Sequence, residues 1–102
     1  AIQSNSHTLL DEVAMVILDD NQLLLIEVQG HSDNTGDENE NLDLSQQRAD
    51  AVREYLIDAG VAQQRLRAKG YGEKMPLSTA ENEEAKTKNR RVEFHVIERD
   101  VP

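Results

Sequence analysis

One stretch of the sequence constrains the fold of this chain most. It consists of a short apolar segment, a glycine, a polar loop and an amphipathic segment, in that order. Leu23 to Gln29 predicts a strand buried on both faces at its start and emerging at Glu27, and Gly30 predicts its end. Residues 44–59 predict a helix that ends at Gly60. Its apolar stripe consists of Ala49, Val52, Leu56 and Ala59. A strand–loop–helix unit of this kind is typical of α/β folds.

The remaining patterns extend this unit on both sides. Leu9, Leu10, Val13, Ala14 and Ile17 follow helical spacing ahead of the strand. Residues 65–69 predict a second strand, residues 81–88 a weak helix and residues 91–98 a final strand. The order αβαβ(α)β predicts an α/β (α+β) two-layer sandwich, with a short mixed sheet packed on two main helices. At 102 residues, one domain over residues 1–102 is expected.

Composition narrows the classes of function. The net charge of −9 argues against a nucleic-acid partner, which needs a basic face. The basic residues of the second half are expected on a solvated surface; they include Arg65, Arg67, Lys69, Lys86, Lys88, Arg90 and Arg91. The lack of cysteine excludes thiol catalysis, disulfides and cysteine zinc sites. No apolar run approaches the roughly 20 residues that span a bilayer.

The polar loop after the strand is the candidate ligand site. Ligands of α/β proteins usually bind at the carboxyl ends of strands. Asp33 stands just past the strand, and Arg48 is expected in the first turn of the following helix. A carboxylate and a guanidinium brought together there can hold a zwitterion. The alternative is a structural salt bridge between the two residues, although a surface ion pair contributes little to stability.

The same loop allows two other functions to be tested against its sequence, calcium binding and hydrolytic catalysis. An EF-hand starting at Asp33 fails, because position 6 is Glu38 and position 12 is Leu44. A looser acidic cation site is left as a weaker alternative. His31, Ser32 and Asp33 are adjacent, and neighbouring side chains of an extended segment point in opposite directions. With no G-x-S-x-G or H-E-x-x-H motif, the chain predicts no catalytic residue, no metal ligand and no cofactor.

The motifs resemble the OmpA-like C-terminal domain family. That family reads G-H-T-D-x-x-G, then an Asn, L-S-x-x-R-A and Val. The matching residues here are Gly30-His31-Ser32-Asp33-Asn34-Thr35-Gly36, Asn41, Leu44-Ser45, Arg48-Ala49 and Val52. Gly60-Val61, Arg65-Leu66, Lys69-Gly70-Tyr71-Gly72, Pro76 and Asn89-Arg90-Arg91-Val92 follow in the family's order. The likeness covers essentially the whole chain.

The resemblance implies non-covalent binding of peptidoglycan through the meso-diaminopimelate of its peptide stem. Asp33 would take the ammonium of that residue and Arg48 its carboxylate. Asn41 would shape the pocket, Ser32 would keep the hydroxyl of the family Thr, and the backbone near Leu44 would add amide contacts. Arg91, or its neighbour Arg90, would line the rim.

The resemblance also carries expectations about setting. Members include outer-membrane proteins, peptidoglycan-associated lipoproteins and stator proteins of the MotB type. A domain of this kind would lie in the periplasm of a Gram-negative cell envelope, at the periplasmic face of the outer membrane, and would reach the membrane only through other parts of its parent protein. A homodimer, as in stator members, is left open.

Two departures and one rival function accompany the resemblance. Glu40 stands where many members carry an aromatic or aliphatic residue. The family's usual first strand is expected to be missing, because the chain starts at the first helix. A protein–protein interaction domain of the same fold without a glycan ligand is the alternative function.

Overall fold

The computed structural model describes residues 4–78, 80 and 82–100. It contains three helices, a short 3-10 turn and a sheet of three strands, in the predicted order αβαβ(α)β. These are α1 (Ser4–Asp19), β1 (Leu23–His31), α2 (Glu38–Asp58), the 3-10 turn Gln63–Arg65, β2 (Leu66–Gly72), α3 (Glu83–Asn89) and β3 (Val92–Arg99). The predicted helix over 81–88 is confirmed from Glu83 onward, while Glu81 lies outside the described residues.

The sheet is mixed, as predicted, with the strand order β2-β1-β3. The central strand β1 runs parallel to β2 and antiparallel to β3, so that Gly30 lies opposite both Gly70 and Val92. The carboxyl ends of β1 and β2 therefore meet the beginning of β3 at one edge. Among the described residues no strand precedes α1, and β3 forms one side of the sheet.

Helices α1 and α2 supply the main apolar layer over one face of the sheet. Buried apolar side chains from both helices and the strands form one core, which includes Leu10, Ala14, Ile17, Leu23, Ile26, Val28, Ala49, Val52, Leu56, Val61 and Leu66. This arrangement confirms the predicted two-layer packing. Within the described part of the chain, no helix combines the length and apolar character that crossing a membrane requires.

Two glycines of the sheet allow α2 to approach closely. A Cβ atom on Gly30 would lie 2.0 Å from the carbonyl oxygen of Ser45, and one on Gly70 would lie 2.4 Å from the backbone nitrogen of Gln46. The Ser45 hydroxyl also accepts a hydrogen bond of 2.9 Å from the N–H of Gly72. The helix is thus fixed directly against the backbone of both parallel strands, beside the edge that carries the candidate site.

Helix α2 begins at Glu38, and the prediction that it starts near Leu44 is wrong. Asp37 is the N-cap, since its carboxylate accepts two backbone N–H groups of the first turn at 2.8 and 3.1 Å. The acids of that turn also suit the positive end of the helix dipole. Asp43 and Ser45, which could also cap a helix starting near Leu44, consequently lie inside the helix.

The carboxyl end of α2 follows the prediction. Gly60 has a φ of 111°, which an L side chain rarely adopts. Its N–H donates to Ile57 O at 2.9 Å, and the N–H of Val61 donates to Leu56 O at 3.1 Å. This is the Schellman pattern, and the buried Val61 side chain supplies its apolar contact.

The burial of β1 departs from the prediction at both ends, although Leu23 and Ile26 are buried as expected. Near its start Leu24 is 40% exposed, whereas Glu27, Gln29 and His31 near its end are all buried. Because Gly30 faces α2, these three polar side chains lie on the opposite face of the sheet. On that face they are hydrogen-bonded to each other and to residues of β2, and the His31 ring stacks on that of Tyr71.

A chain of hydrogen bonds connects these buried groups. The Glu27 carboxylate accepts from the Tyr71 hydroxyl at 2.5 Å, from Gln29 Nε2 at 2.8 Å and from Arg67 Nε at 2.9 Å. Gln29 Oε1 then accepts from His31 Nε2 at 3.1 Å. Burial opposes ionisation of Glu27, but these donors outweigh it, and the pKa of the Glu27 carboxyl is lowered.

The prediction that the late basic residues are all solvated is wrong for several of them. Arg65 donates through Nη2 to the carbonyl oxygens of Ile17, Asp20 and Leu23, each at 2.9 Å, and so joins α1 to the start of β1. A guanidinium suits this task because its donors are arranged in a rigid fork. Lys88 is exposed, as predicted.

Candidate ligand-binding site

The candidate site lies where β1 ends. The backbone of this segment is fixed from both sides, because His31 N–H donates to Arg91 O and Ser32 N–H donates to Gly72 O, each at 2.9 Å. Asp33 follows at once, so its position is set by the two neighbouring strands.

Asp33 is a buried, ionised carboxylate. Its Oδ1 accepts the backbone N–H of Thr35 at 2.8 Å, and its Oδ2 accepts Nη1 of Arg90 at 2.5 Å. Burial alone would raise the pKa of Asp33, but the hydrogen bonds from Thr35 and the guanidinium of Arg90 outweigh it, and the pKa is lowered. The site therefore contains a fixed negative charge at neutral pH.

Arg48 lies in the same corner but does not pair with Asp33. Since α2 begins at Glu38, Arg48 stands in about the third turn, and its predicted place in the first turn is wrong. Its side chain is exposed and donates from Nη1 to the carbonyl oxygen of His31 at 3.4 Å. The alternative of a structural Asp33–Arg48 salt bridge is thus also wrong, because Arg90 takes that place.

Asn41 and Ser32 shape the loop around Asp33. Asn41 is buried in the first turns of α2, and its Nδ2 donates to Thr35 O at 2.9 Å and to Asp33 O at 3.3 Å. The Ser32 hydroxyl donates to Asp33 O at 3.1 Å. Both side chains bind the backbone of the loop that presents the carboxylate, and any contact of theirs with a ligand stays a prediction.

Leu44 does not offer the backbone contact expected of it. The residue lies inside α2, where backbone N–H groups are engaged in helical hydrogen bonds, so the predicted amide contact is wrong. What Leu44 presents outward is its side chain, which is 52% exposed. Only an apolar contact with a ligand remains open to it.

Arg91 is held away from Asp33 by other partners. Its guanidinium pairs with Glu93 and donates to the carbonyl oxygens of Met75 at 2.8 Å and Asn89 at 3.3 Å. These contacts fasten the loop after β2 to the start of β3. Of the two neighbouring arginines, Arg90 and not Arg91 is therefore the one that reaches the predicted site.

A polar cavity of about 250 Å³ lies next to this segment. Asn89 is buried in its wall and fixes the loop opposite, since Oδ1 accepts the N–H groups of Leu77 and Ser78 at 2.7 and 3.2 Å. The lining residues are Ser32, Asn34, Glu73, Pro76, Ser78, Ala80 and Asn89. The cavity extends the site from the β1 end toward the loop that precedes α3.

Comparison of the sequence with known proteins shows the family to which this chain belongs. The model of the OmpA family matches residues 1–90. The chain belongs to the OmpA family. Outer membrane porin F of Pseudomonas fluorescens is 45% identical over 71 residues, which are 70% of this chain and 22% of that protein. Peptidoglycan-binding protein ArfA of Mycobacterium tuberculosis is 41% identical over 71 residues, again 70% of this chain and 22% of that protein.

The fold of this OmpA-family chain is similar to a solved relative. It aligns with the crystal structure of the peptidoglycan-associated lipoprotein from Burkholderia pseudomallei with a TM-score of 0.85 and 31% sequence identity. The alignment covers 92% of this chain and 79% of that chain. The predicted α/β fold and family resemblance are confirmed. The chain spans about a fifth of the length of the porin F and ArfA relatives.

Within the OmpA-family motifs, the sequence names Arg91 with its neighbour Arg90 as the alternative, and in the structure it is Arg90 that contacts Asp33. The two residues are adjacent, and the choice between them depends on the backbone at the corner between α3 and β3. Arg90 caps the end of α3 with a ψ of 84°, and Arg91 leads directly into β3. A weak helix signal next to a clear strand signal shows that a corner lies there but does not indicate which arginine turns toward Asp33.

Among the described residues, no group of three His, Asp or Glu side chains converges as metal ligands. The acidic residues that suggested a cation site in this loop do not point toward a common centre. Asp37 is engaged as a helix cap, and Glu38 and Glu40 are exposed in the first turn of α2. Their positions are explained by the start of the helix.

Proposed function

We propose that this OmpA-family domain binds peptidoglycan non-covalently through the diaminopimelate of the peptide stem. The observation that carries the proposal is the charge pattern around Asp33. A buried, ionised carboxylate stands at the end of β1, and the guanidinium groups of Arg48 and Arg90 lie around the same segment. A zwitterion, with an ammonium for Asp33 and a carboxylate for a guanidinium, is the complement of that pattern.

The relatives support the choice of peptidoglycan as the ligand. ArfA is named as a peptidoglycan-binding protein, and the structural relative from Burkholderia pseudomallei as a peptidoglycan-associated lipoprotein. The end of the diaminopimelate side chain carries both an amino and a carboxyl group on one carbon, so it matches the charge pattern of the site. Asp33 takes the ammonium and Arg48, the guanidinium that is not paired with Asp33, takes the carboxylate.

The proposal describes attachment without catalysis. The domain ties its parent protein to the cell wall from the periplasmic side of the envelope, as the names of the porin and lipoprotein relatives suggest. Asn41 and Ser32 keep the loop in the shape that presents Asp33. The polar cavity beside Ser32 leaves room for the rest of the stem.

Co-sedimentation with purified sacculi that contain diaminopimelate tests the proposal. Asp33→Ala and Arg48→Ala should each raise the dissociation constant at least about tenfold, because each removes a charge-assisted hydrogen bond of about 1.5–3 kcal/mol. Asp43→Ala and Lys88→Ala, which remove exposed charges of the same sign elsewhere, serve as matched controls. Wild-type binding by a folded Asp33→Ala variant would refute the role of Asp33. A folded wild-type domain that does not sediment would favour the protein–protein alternative.

A further inference from the structure

The contact between Asp33 and Arg90 has a consequence for any ligand that brings a positive charge. The Asp33 side chain is 8% exposed and the Arg90 side chain 42% exposed. Both oxygens of the carboxylate are already engaged, Oδ1 by the loop backbone and Oδ2 by the guanidinium. An incoming ammonium must therefore share a carboxylate oxygen with one of these donors or take the place of Arg90.

The charges decide which ligands can make that exchange. An ammonium alone would leave the displaced guanidinium unpaired beside a second cation, and like charges at such a distance repel. A zwitterion brings a carboxylate that the displaced guanidinium can take over. Every charge is then paired before and after binding, so the exchange is far less costly for the zwitterion.

Arg90 is free to make such a movement, and its neighbour is not. Besides Asp33, the Arg90 guanidinium donates only to the Thr87 hydroxyl at 3.2 Å among the described residues. Its backbone is fixed by the hydrogen bond of its N–H to Lys86 O at 3.1 Å. The side chain can thus swing on a fixed base, whereas the guanidinium of Arg91 is anchored to three partners.

We propose that Arg90 is a specificity-determining residue that occupies the ammonium position on Asp33 in the free domain and passes to the ligand's carboxylate on binding. The inference rests on the proposed function, because it presupposes that Asp33 receives the ammonium. Arg90 acts as an internal competitor for Asp33 that only a zwitterion displaces readily. It thereby adds a second guanidinium to the one that Arg48 offers.

The test compares two matched probes by titration calorimetry. One is the tripeptide L-Ala-γ-D-Glu-meso-diaminopimelate, and the other carries L-Lys as its third residue, so that it has the ammonium without the adjacent carboxylate. Removing the competitor in Arg90→Gln should raise the affinity for the lysine tripeptide about three- to tenfold and lower that for the diaminopimelate tripeptide. Arg48→Gln should lower the affinity for the diaminopimelate tripeptide and leave that for the lysine tripeptide unchanged.

A higher affinity of Arg90→Gln for the lysine tripeptide is the result that identifies Arg90 as a competitor for Asp33. If the lysine tripeptide binds Arg90→Gln no better than the wild type, the inference is overturned, and Arg90 only supports the shape of Asp33. Arg90→Ala repeats the test in case glutamine keeps a hydrogen bond to Asp33, and Lys88→Gln controls for the lost charge. A folded wild-type domain that binds neither tripeptide would refute the proposed function itself, which separates the two failures.

Discussion

The Tyr71 hydroxyl donates a 2.5 Å hydrogen bond to the buried carboxylate of Glu27, across the strands β2 and β1. This contact lies on the face of the sheet away from the helices, where polar groups fill the place of an apolar layer. Glu27 also anchors Gln29, which in turn accepts from His31 at the end of β1. The strand that presents Asp33 is thus supported from beneath by a connected set of hydrogen bonds.

Tyr71→Phe should therefore destabilise the fold. Losing a donor to a buried charged acceptor costs about 1–3 kcal/mol. Tyr55→Phe is the matched control, since the Tyr55 hydroxyl donates to exposed Asp11 at 2.8 Å, and its loss should be much less costly. Urea unfolding of both variants measures the difference. Equal loss in the two variants would show that the network under β1 contributes no more than a surface contact.

His31 should make the domain lose stability as the pH falls below the ordinary range of histidine. Burial, the largest cause, and the nearby positive charges of Arg91 and His95 lower the pKa of His31, although Glu93 opposes them. Its stacking on Tyr71 keeps the ring enclosed. A histidine with a lowered folded pKa takes up its proton more readily in the unfolded chain, so acid favours unfolding.

The expected window for this loss starts at the ordinary histidine pKa of 6.5 and extends downward. The pKa of Glu27 and that of Asp33 are also lowered, but from 4.5 and 3.8, so their contributions are lost only at lower pH. Between pH 6.5 and 4.5, the free energy of unfolding should fall more steeply for the wild type than for His31→Gln. Parallel slopes in that window would refute the assignment, whatever the absolute stability of the variant.

Gly70→Ala should disturb both the fold and the site. A Cβ atom at that position would lie 2.4 Å from the backbone nitrogen of Gln46 and 2.6 Å from Ser45 Oγ, so α2 would have to move away from the sheet. Overpacking of this kind costs about 1–3 kcal/mol. Shifted helix resonances in NMR spectra and a lower denaturation midpoint are the expected results.

Gly36→Ala provides the comparison for that substitution. Nothing lies within 4 Å of the added carbon at Gly36, but the φ of 86° there is unfavourable for alanine. The expected cost is about 1–2 kcal/mol from backbone strain alone, without movement of α2. If Gly70→Ala left the α2 resonances as unchanged as Gly36→Ala does, the close approach of helix and sheet would be refuted.

The sequence predicted the order and topology class of the elements well, because the apolar periods of β1, α2 and β3 are clear. The early start of α2 could not be predicted because residues 38–41 are all polar and carry no apolar period. That part of the helix is held by the Asp37 cap and by Asn41, which binds the loop. Contacts of this kind are made by polar side chains, so the spacing of apolar residues does not reveal them.

The buried polar face of β1 could not be predicted for a different reason. Glu27, Gln29 and His31 alternate with Val28 and Gly30, and that pattern is typical of a strand with one solvated face. Their burial depends on Tyr71 and Arg67, which lie forty or more residues further along the chain and donate hydrogen bonds to Glu27. The same holds for Asp33, whose partner Arg90 lies in another element. Only the tertiary fold brings such pairs together.

Titration calorimetry of the wild-type domain with the diaminopimelate and lysine tripeptides tests the central claim most directly. A site built around a carboxylate partner rejects an analogue without it, because the guanidinium is left unpaired. At about 1.4 kcal/mol per tenfold, the loss of one charged contact predicts a preference of roughly ten- to a hundredfold for diaminopimelate. Equal affinity for the two tripeptides would contradict the account, since neither Arg48 nor Arg90 would then receive a ligand carboxylate.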